Sequence, residues 1–216
     1  MSAFSEFADA MSLTGVKPVE TAADMSRVAI LGGGDDARLL AALCLAEGAE
    51  VTLFSAYGAE LDALKSGVAV RGAGPIGAYQ TNREDAPSIQ TTAELDRAVA
   101  GAELIFLTGP IHKQRTYSMV LADHLSDGQA LVLAPGRSMG ALEAAWLLRV
   151  GGCEADVTLV EVQAAPYWFT TEGATLHLSE AGPAVAATLP SGRTSVLTAL
   201  SKYLPNIAPT TSTLAS

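Results

Sequence analysis

Cysteine is scarce in this chain: there are two in 216 residues, Cys44 and Cys153. They form no CxxC pair and lie in apolar stretches, which excludes a disulfide framework and reads as reduced core thiols. Basic residues are few as well. Thirteen Lys and Arg stand against 23 Asp and Glu, a formal charge of −10. An acidic surface argues against DNA, RNA or an anionic membrane as partner, because phosphate contacts need cations. It does not argue against a nucleotide held by main-chain amides. His112, His124 and His177 are scattered without ligand-like spacing, so no metal site is expected. No apolar run approaches the ~20 residues that span a bilayer. The N-terminus shows no basic segment followed by a hydrophobic core, so the expected location is the cytoplasm.

Hydrophobic residues, by contrast, make up 49% of the chain and charged ones 17%, a balance that excludes disorder or a coiled coil. A chain of this length buries enough surface to need no disulfide or metal staple. Residues 1–26 form a leader of small and polar residues with Phe4, Phe7, Met11 and Leu13 at roughly helical spacing. From there the pattern is regular. Residues 27–31 are a short apolar run entering three glycines, which reads as a buried strand. Leucines 39, 40 and 43 recur at helical intervals over 36–47, Gly48 supplies the stop, and 51–54 form a second strand. This is a βαβ unit with a right-handed crossover.

Residues 58–92 are less regular, with a short helix at 60–65 and a glycine-rich stretch at 67–81. Alternation resumes as helix 93–100, strand 103–107, helix 113–125, strand 129–133, helix 140–150 and strand 157–162. Such βα repeats mean an α/β fold: a doubly wound, mostly parallel Rossmann sheet with helices on both faces. A hairpin over 167–179, a strand at 184–189 and a helix at 194–203 add a small antiparallel extension near the C-terminus. The expected organisation is a leader, 1–26, a dinucleotide-binding domain, 27–205, and a tail or the start of a missing helical domain, 206–216.

Open α/β sheets hold ligands beyond the carboxyl ends of their strands. There, Gly32-Gly33-Gly34-Asp35-Asp36-Ala37 fits G-x-G-x-x-G/A between a strand and a helix. Gly32 allows the sharp turn, Gly34 lets a diphosphate approach the backbone, and Ala37 lets the helix lie close to the sheet. The free N–H groups and the positive end of the helix dipole then face the phosphates. Asp35 and Asp36 bring negative charge to that site; as helix caps they are favourable there. At the end of the second strand, where an acidic residue ordinarily holds the ribose hydroxyls of NAD, stands Ser55. Its lack of charge admits a 2′-phosphate, yet no Arg follows in residues 55–58 to grip one. The expected cofactor is NADP or NAD, with NADP slightly preferred. Thr108, Gly109, Pro110 and His112 follow another strand end and face the same crevice, His112 as proton donor, ligand contact or simple cap. Arg137 in the loop 134–140 is either a bidentate partner for a substrate carboxylate or an ordinary solvated arginine. Glu161, ending its strand, is a candidate polar contact in that crevice.

In order and spacing, the segments 32–37, 108–112 (Thr-Gly-Pro-Ile-His), 127–129 (Asp-Gly-Gln), 133–136 (Leu-Ala-Pro-Gly) and Glu161 through Pro166 and Tyr167 carry a family likeness. Over about residues 27–207 the chain resembles the N-terminal half of opine dehydrogenases of the octopine and nopaline type, relatives of glycerol-3-phosphate dehydrogenase and ketopantoate reductase. The resemblance implies reduction, by NADH or NADPH, of an imine formed from an amino acid and a 2-oxo acid. It implies that the glycine turn and Thr108–Pro110 hold the cofactor. It also implies that catalytic His and Asp residues belong to a helical second domain that begins about where this chain stops, so no catalytic residue is assigned. A homodimer or a second chain would then complete the site. The alternative is a non-catalytic Rossmann-like module, for sensing or assembly, with a degenerate cofactor site. A methyltransferase ranks below both, because neither Leu31 nor Ser55 is acidic, and no Tyr-x-x-x-Lys of a short-chain dehydrogenase is present.

Overall fold

A computed structural model of the chain describes residues 24–72, 78–82, 87–136, 139–165, 167–182 and 184–210. The leader up to residue 23 and Arg137 lie outside the described residues. The chain enters through β1 (Arg27–Leu31), turns into α1 (Asp35–Ala46) and returns in β2 (Glu50–Phe54). β1 and β2 are parallel, with Val28 opposite Val51 and Leu31 opposite Phe54. α1 ends where the sequence predicts. Gly48 adopts φ +81, its N–H meets Leu45 O at 3.0 Å, and Ala49 N–H reaches back to Cys44 O at 3.0 Å, a Schellman closure.

Next come α2 (Gly58–Lys65), β3 (Ala69–Gly72), β4 (Tyr79–Gln80), β5 (Gln90–Thr92), α3 (Leu95–Val99) and β6 (Leu104–Leu107). These lead to α4 (Ile111–Val120), β7 (Ala130–Leu133), α5 (Gly140–Val150) and β8 (Thr158–Val162). The last elements are β9 (Tyr167–Glu172), β10 (Thr175–Ala181), β11 (Ala184–Leu189), α6 (Thr194–Ser201) and β12 (Ile207–Pro209).

Eight strands form one sheet in the order β12-β11-β8-β7-β6-β1-β2-β5. Every pair from β5 to β8 is parallel. That is the 3-2-1-4-5-6 order of the doubly wound Rossmann fold, in which the winding reverses between the first and fourth strands and opens a crevice at their carboxyl ends. Here those strands are β1 and β6. β11 is antiparallel to β8 and carries β12 at the edge. A second sheet, β4-β3-β10-β9, holds the expected hairpin β9–β10, with β3 added parallel to β10.

Alternation along the strands sorts the core into two layers. Val28, Ile30, Phe106, Val132 and Val160 pack on one face with Leu40 and Leu43 of α1 and Leu197 and Leu200 of α6. Ala29, Leu31, Ile105, Leu107 and Leu131 pack on the other with Val99 of α3 and Ala144 and Leu148 of α5. Burial on both faces is why these strands read as unbroken apolar runs. Cys44 and Cys153 are free and buried, and burial pushes the Cys44 thiol far above its ordinary range. Among the described residues no helix is long and apolar enough to cross a membrane.

Three elements differ from the sequence expectation. β5 is a Gln-Thr-Thr edge strand held by main-chain pairing to β2, with no apolar pattern to announce it. α4 stops at Val120 and gives way to turns, the N–H of His124 bonding Leu121 O at 2.9 Å. β12 pairs with β11 in the stretch that follows Pro205.

Candidate functional site

Two loops meet at the crevice between β1 and β6. The carbonyl of Leu31 accepts two hydrogen bonds from Thr108, from its N–H at 3.2 Å and its hydroxyl at 2.9 Å. Gly32 follows at φ +128, its N–H on Phe54 O at 2.9 Å. A Cβ on Gly32 would collide with Thr108 Oγ1, so the two loops interlock only because a glycine stands there. Gly34 is the N-cap residue of α1, extended at φ −76, with open space where a Cβ would be. Among the described residues no acceptor meets the N–H groups of Gly33, Gly34, Asp35 or Asp36. Main-chain donors at a helix N-terminus in this arrangement suit a diphosphate.

The aspartates do not cap α1, which has no side-chain cap hydrogen bond. The Asp35 carboxylate is drawn aside instead, accepting from Arg38 Nη1 at 3.2 Å and from Thr171 Oγ1 of β9 at 2.7 Å. Asp36 is partly buried, and burial and the neighbouring Asp35 raise its pKa. Both remain in the first turn, where the dipole favours acids. Ala37 is fully buried against the sheet, as close helix packing requires.

Ser55 is buried at the end of β2. Its hydroxyl donates to Glu60 Oε2 and accepts from the N–H of Tyr57 at 3.1 Å. Glu60, in the first turn of α2, leans over the glycine turn: a Cβ on Gly33 would overlap its carboxylate. Lys113 of α4 stands 3.9 Å from Glu60 Oε1 and 5.0 Å above the Tyr57 ring. A carboxylate is therefore present at the end of β2, supplied from α2. Sequence reading missed Glu60, though a glycine at the variable place of the motif and an acid in the next helix were the available signals.

The loops after β6 and β7 are tied to each other by Gln114, also missed from sequence. It is buried in α4, and its Nε2 donates to Gly109 O at 3.0 Å and to Pro135 O at 2.9 Å. His112 is exposed in the first turn of α4. Glu161 does not open into the crevice as the sequence suggests. It is fully buried against Gly136 and Gly140, where its Oε2 accepts from the N–H of Ala141 at 2.9 Å and its Oε1 has no partner among the described residues. Burial raises its pKa, and the amides of Ala141 and Gly140 partly restore it. A groove of about 430 Å³ runs between α4 and α5, with Gln114, Ser118 and Ala144 at its base and exposed Ile111, Met139 and Trp146 around it.

No family model and no curated protein matches the sequence. Solved structures do match the fold. An octopine dehydrogenase with NADH and L-arginine superposes with a TM-score of 0.66 at 18% identity, over 85% of this chain and 48% of that one. A yersinopine dehydrogenase with NADP+ bound gives 0.62 at 17% identity, over 89% and 49%. A 2-dehydropantoate 2-reductase from Geobacter metallireducens gives 0.62 at 15% identity, over 85% and 57%. The chain spans about half the length of the solved proteins it matches.

Proposed function

We propose that the chain is the nicotinamide-dinucleotide-binding part of an oxidoreductase of the opine dehydrogenase type. The observation that carries this reading is the set of main-chain N–H groups from Gly33 to Asp36, without protein acceptors among the described residues, at the mouth of a parallel β1–α1–β2 crossover. A buried, hydrogen-bonded Asp or Ser would ordinarily fill such a helix end. The solved neighbours support the reading, since they include structures with NADH and with NADP+.

In this reading the amides from Gly33 to Asp36 hold the diphosphate. Thr108, Gly109 and Pro110 form the opposite wall, and Gln114 keeps that wall in register with the β7 loop. Hydride transfer to an imine or ketone carbon is the chemistry the bound dinucleotide would supply; the protein supplies orientation. The substrate pair is an amino acid and a 2-oxo acid, as the neighbours crystallised with L-arginine and with pyruvate suggest. His112 and Arg137 stand as substrate-side candidates, and the remaining substrate contacts come from a further domain or a second chain covering the α4–α5 groove. A cytoplasmic address suits two free thiols.

Calorimetric titration with NADH and with NADPH tests the proposal. Saturable binding of either is expected. No binding of either at millimolar concentration would overturn it and leave the non-catalytic module as the better reading.

A further inference from the structure

We infer that Glu60 is the residue that binds the adenosine ribose, and that it makes the site select NAD(H) over NADP(H). The inference rests on the dinucleotide reading above and reverses the preference for NADP drawn from Ser55 alone. In a doubly wound fold an acid at the end of the second strand accepts hydrogen bonds from the ribose hydroxyls. Ser55 occupies that place but spends its hydroxyl on Glu60 and Tyr57. The charge stands one side chain further out, on Glu60, anchored by Ser55 at one oxygen and by Lys113 at the other.

Three features make this more than a surface acid. Glu60 reaches the glycine turn only because Gly33 has no Cβ, which gives the motif's variable glycine a reason to be glycine. Its side chain is 30% exposed, so a carboxylate with about four lone-pair sites keeps acceptor capacity open to a ligand. The surroundings are also wrong for a 2′-phosphate. Lys113 is already placed against Glu60, and no Arg lies in residues 55–58. A 2′-phosphate brings roughly −1.5 to −2 charge to this position. Like charges brought into contact near a protein surface repel strongly enough to set a discrimination of roughly tenfold or more.

The test compares wild type with Glu60→Gln and Ser55→Ala, each checked for unchanged folding by circular dichroism. Binding of NADH, NADPH, ADP-ribose and 2′-phospho-ADP-ribose is measured by calorimetry; the last two probes isolate the adenosine half. Wild type is expected to bind NADH and ADP-ribose at least roughly tenfold more tightly than their 2′-phosphorylated counterparts. Glu60→Gln should weaken the unphosphorylated pair and bring the ratio near one, with Ser55→Ala in between. A wild-type preference for NADPH overturns the inference, as does a ratio unchanged in Glu60→Gln. Equal tightening of all four probes in that variant also overturns it, by making Glu60 an obstruction to the phosphate site. If wild type binds none of the four, the dinucleotide reading itself fails, an outcome separate from the others.

Discussion

Two helices begin at the carboxyl edge of the same sheet and are treated in opposite ways. At α5 the first amides are satisfied from within: Glu161 rises from β8, buries its carboxylate under the turn and accepts from Ala141. At α1 the Asp35 carboxylate is held aside by Arg38 and Thr171, and the amides from Gly33 to Asp36 meet no acceptor among the described residues. Both ends present the same physics, orphan N–H groups and the positive pole of a helix. One is closed by an internal carboxylate; the other, under the proposed function, is where an external anion would bind. The fold can satisfy a helix N-terminus with a carboxylate and does so at α5.

Removing the internal anion should have the largest effect. Glu161→Ala is expected to lose about 2–4 kcal/mol of stability in chemical denaturation, since it strips the α5 amide of its partner and leaves space beneath Gly136. Gly32→Ala comes next. It places a Cβ at φ +128 against Thr108 and should cost about 1–3 kcal/mol while abolishing dinucleotide binding in calorimetry. Gly34→Ala separates the two ends most cleanly. Its Cβ meets no atom of the described residues, so stability should change by less than about 0.5 kcal/mol, yet under the proposed function dinucleotide affinity should fall, because the methyl would stand where the diphosphate approaches. A Gly34→Ala protein that binds as tightly as wild type would place the ligand elsewhere.

Gln114→Ala should cost about 1 kcal/mol, because two partly buried carbonyls lose their donor, and should weaken dinucleotide binding modestly by loosening the Thr108 loop. The smallest effect is on pH dependence. Glu161 has a folded pKa above its ordinary 4.5, so the proton-linked part of its contribution to stability is fully present below that value and is lost as pH rises through the folded pKa. Asp36 acts with the same sign. Glu161→Gln keeps an acceptor for Ala141 and removes this titration, so its melting temperature should vary less with pH across that interval than wild type's.

The β1–α1–β2 unit and the later βα repeats were legible because strands buried on both faces leave continuous apolar runs and because Gly48 marks a helix end. β5 was not, since Gln-Thr-Thr is held by its main chain alone. Glu60 escaped because its place is set by a tertiary contact with Ser55, not by its own position at the strand end. The direction of Glu161 was available in principle: Val160 and Val162 face α1 and α6, so the residue between them must face α5. What sequence did not show is how closely Gly136 and Gly140 pack against it.

The most direct measurement is an amide-resolved NMR titration of the chain with NADH, which follows α1 and α5 in the same sample. The account predicts that the amides of Gly33, Gly34, Asp35 and Asp36 shift together and saturate, while that of Ala141 stays in place. No shift at those positions in millimolar NADH, or movement at Ala141 in their stead, would contradict it.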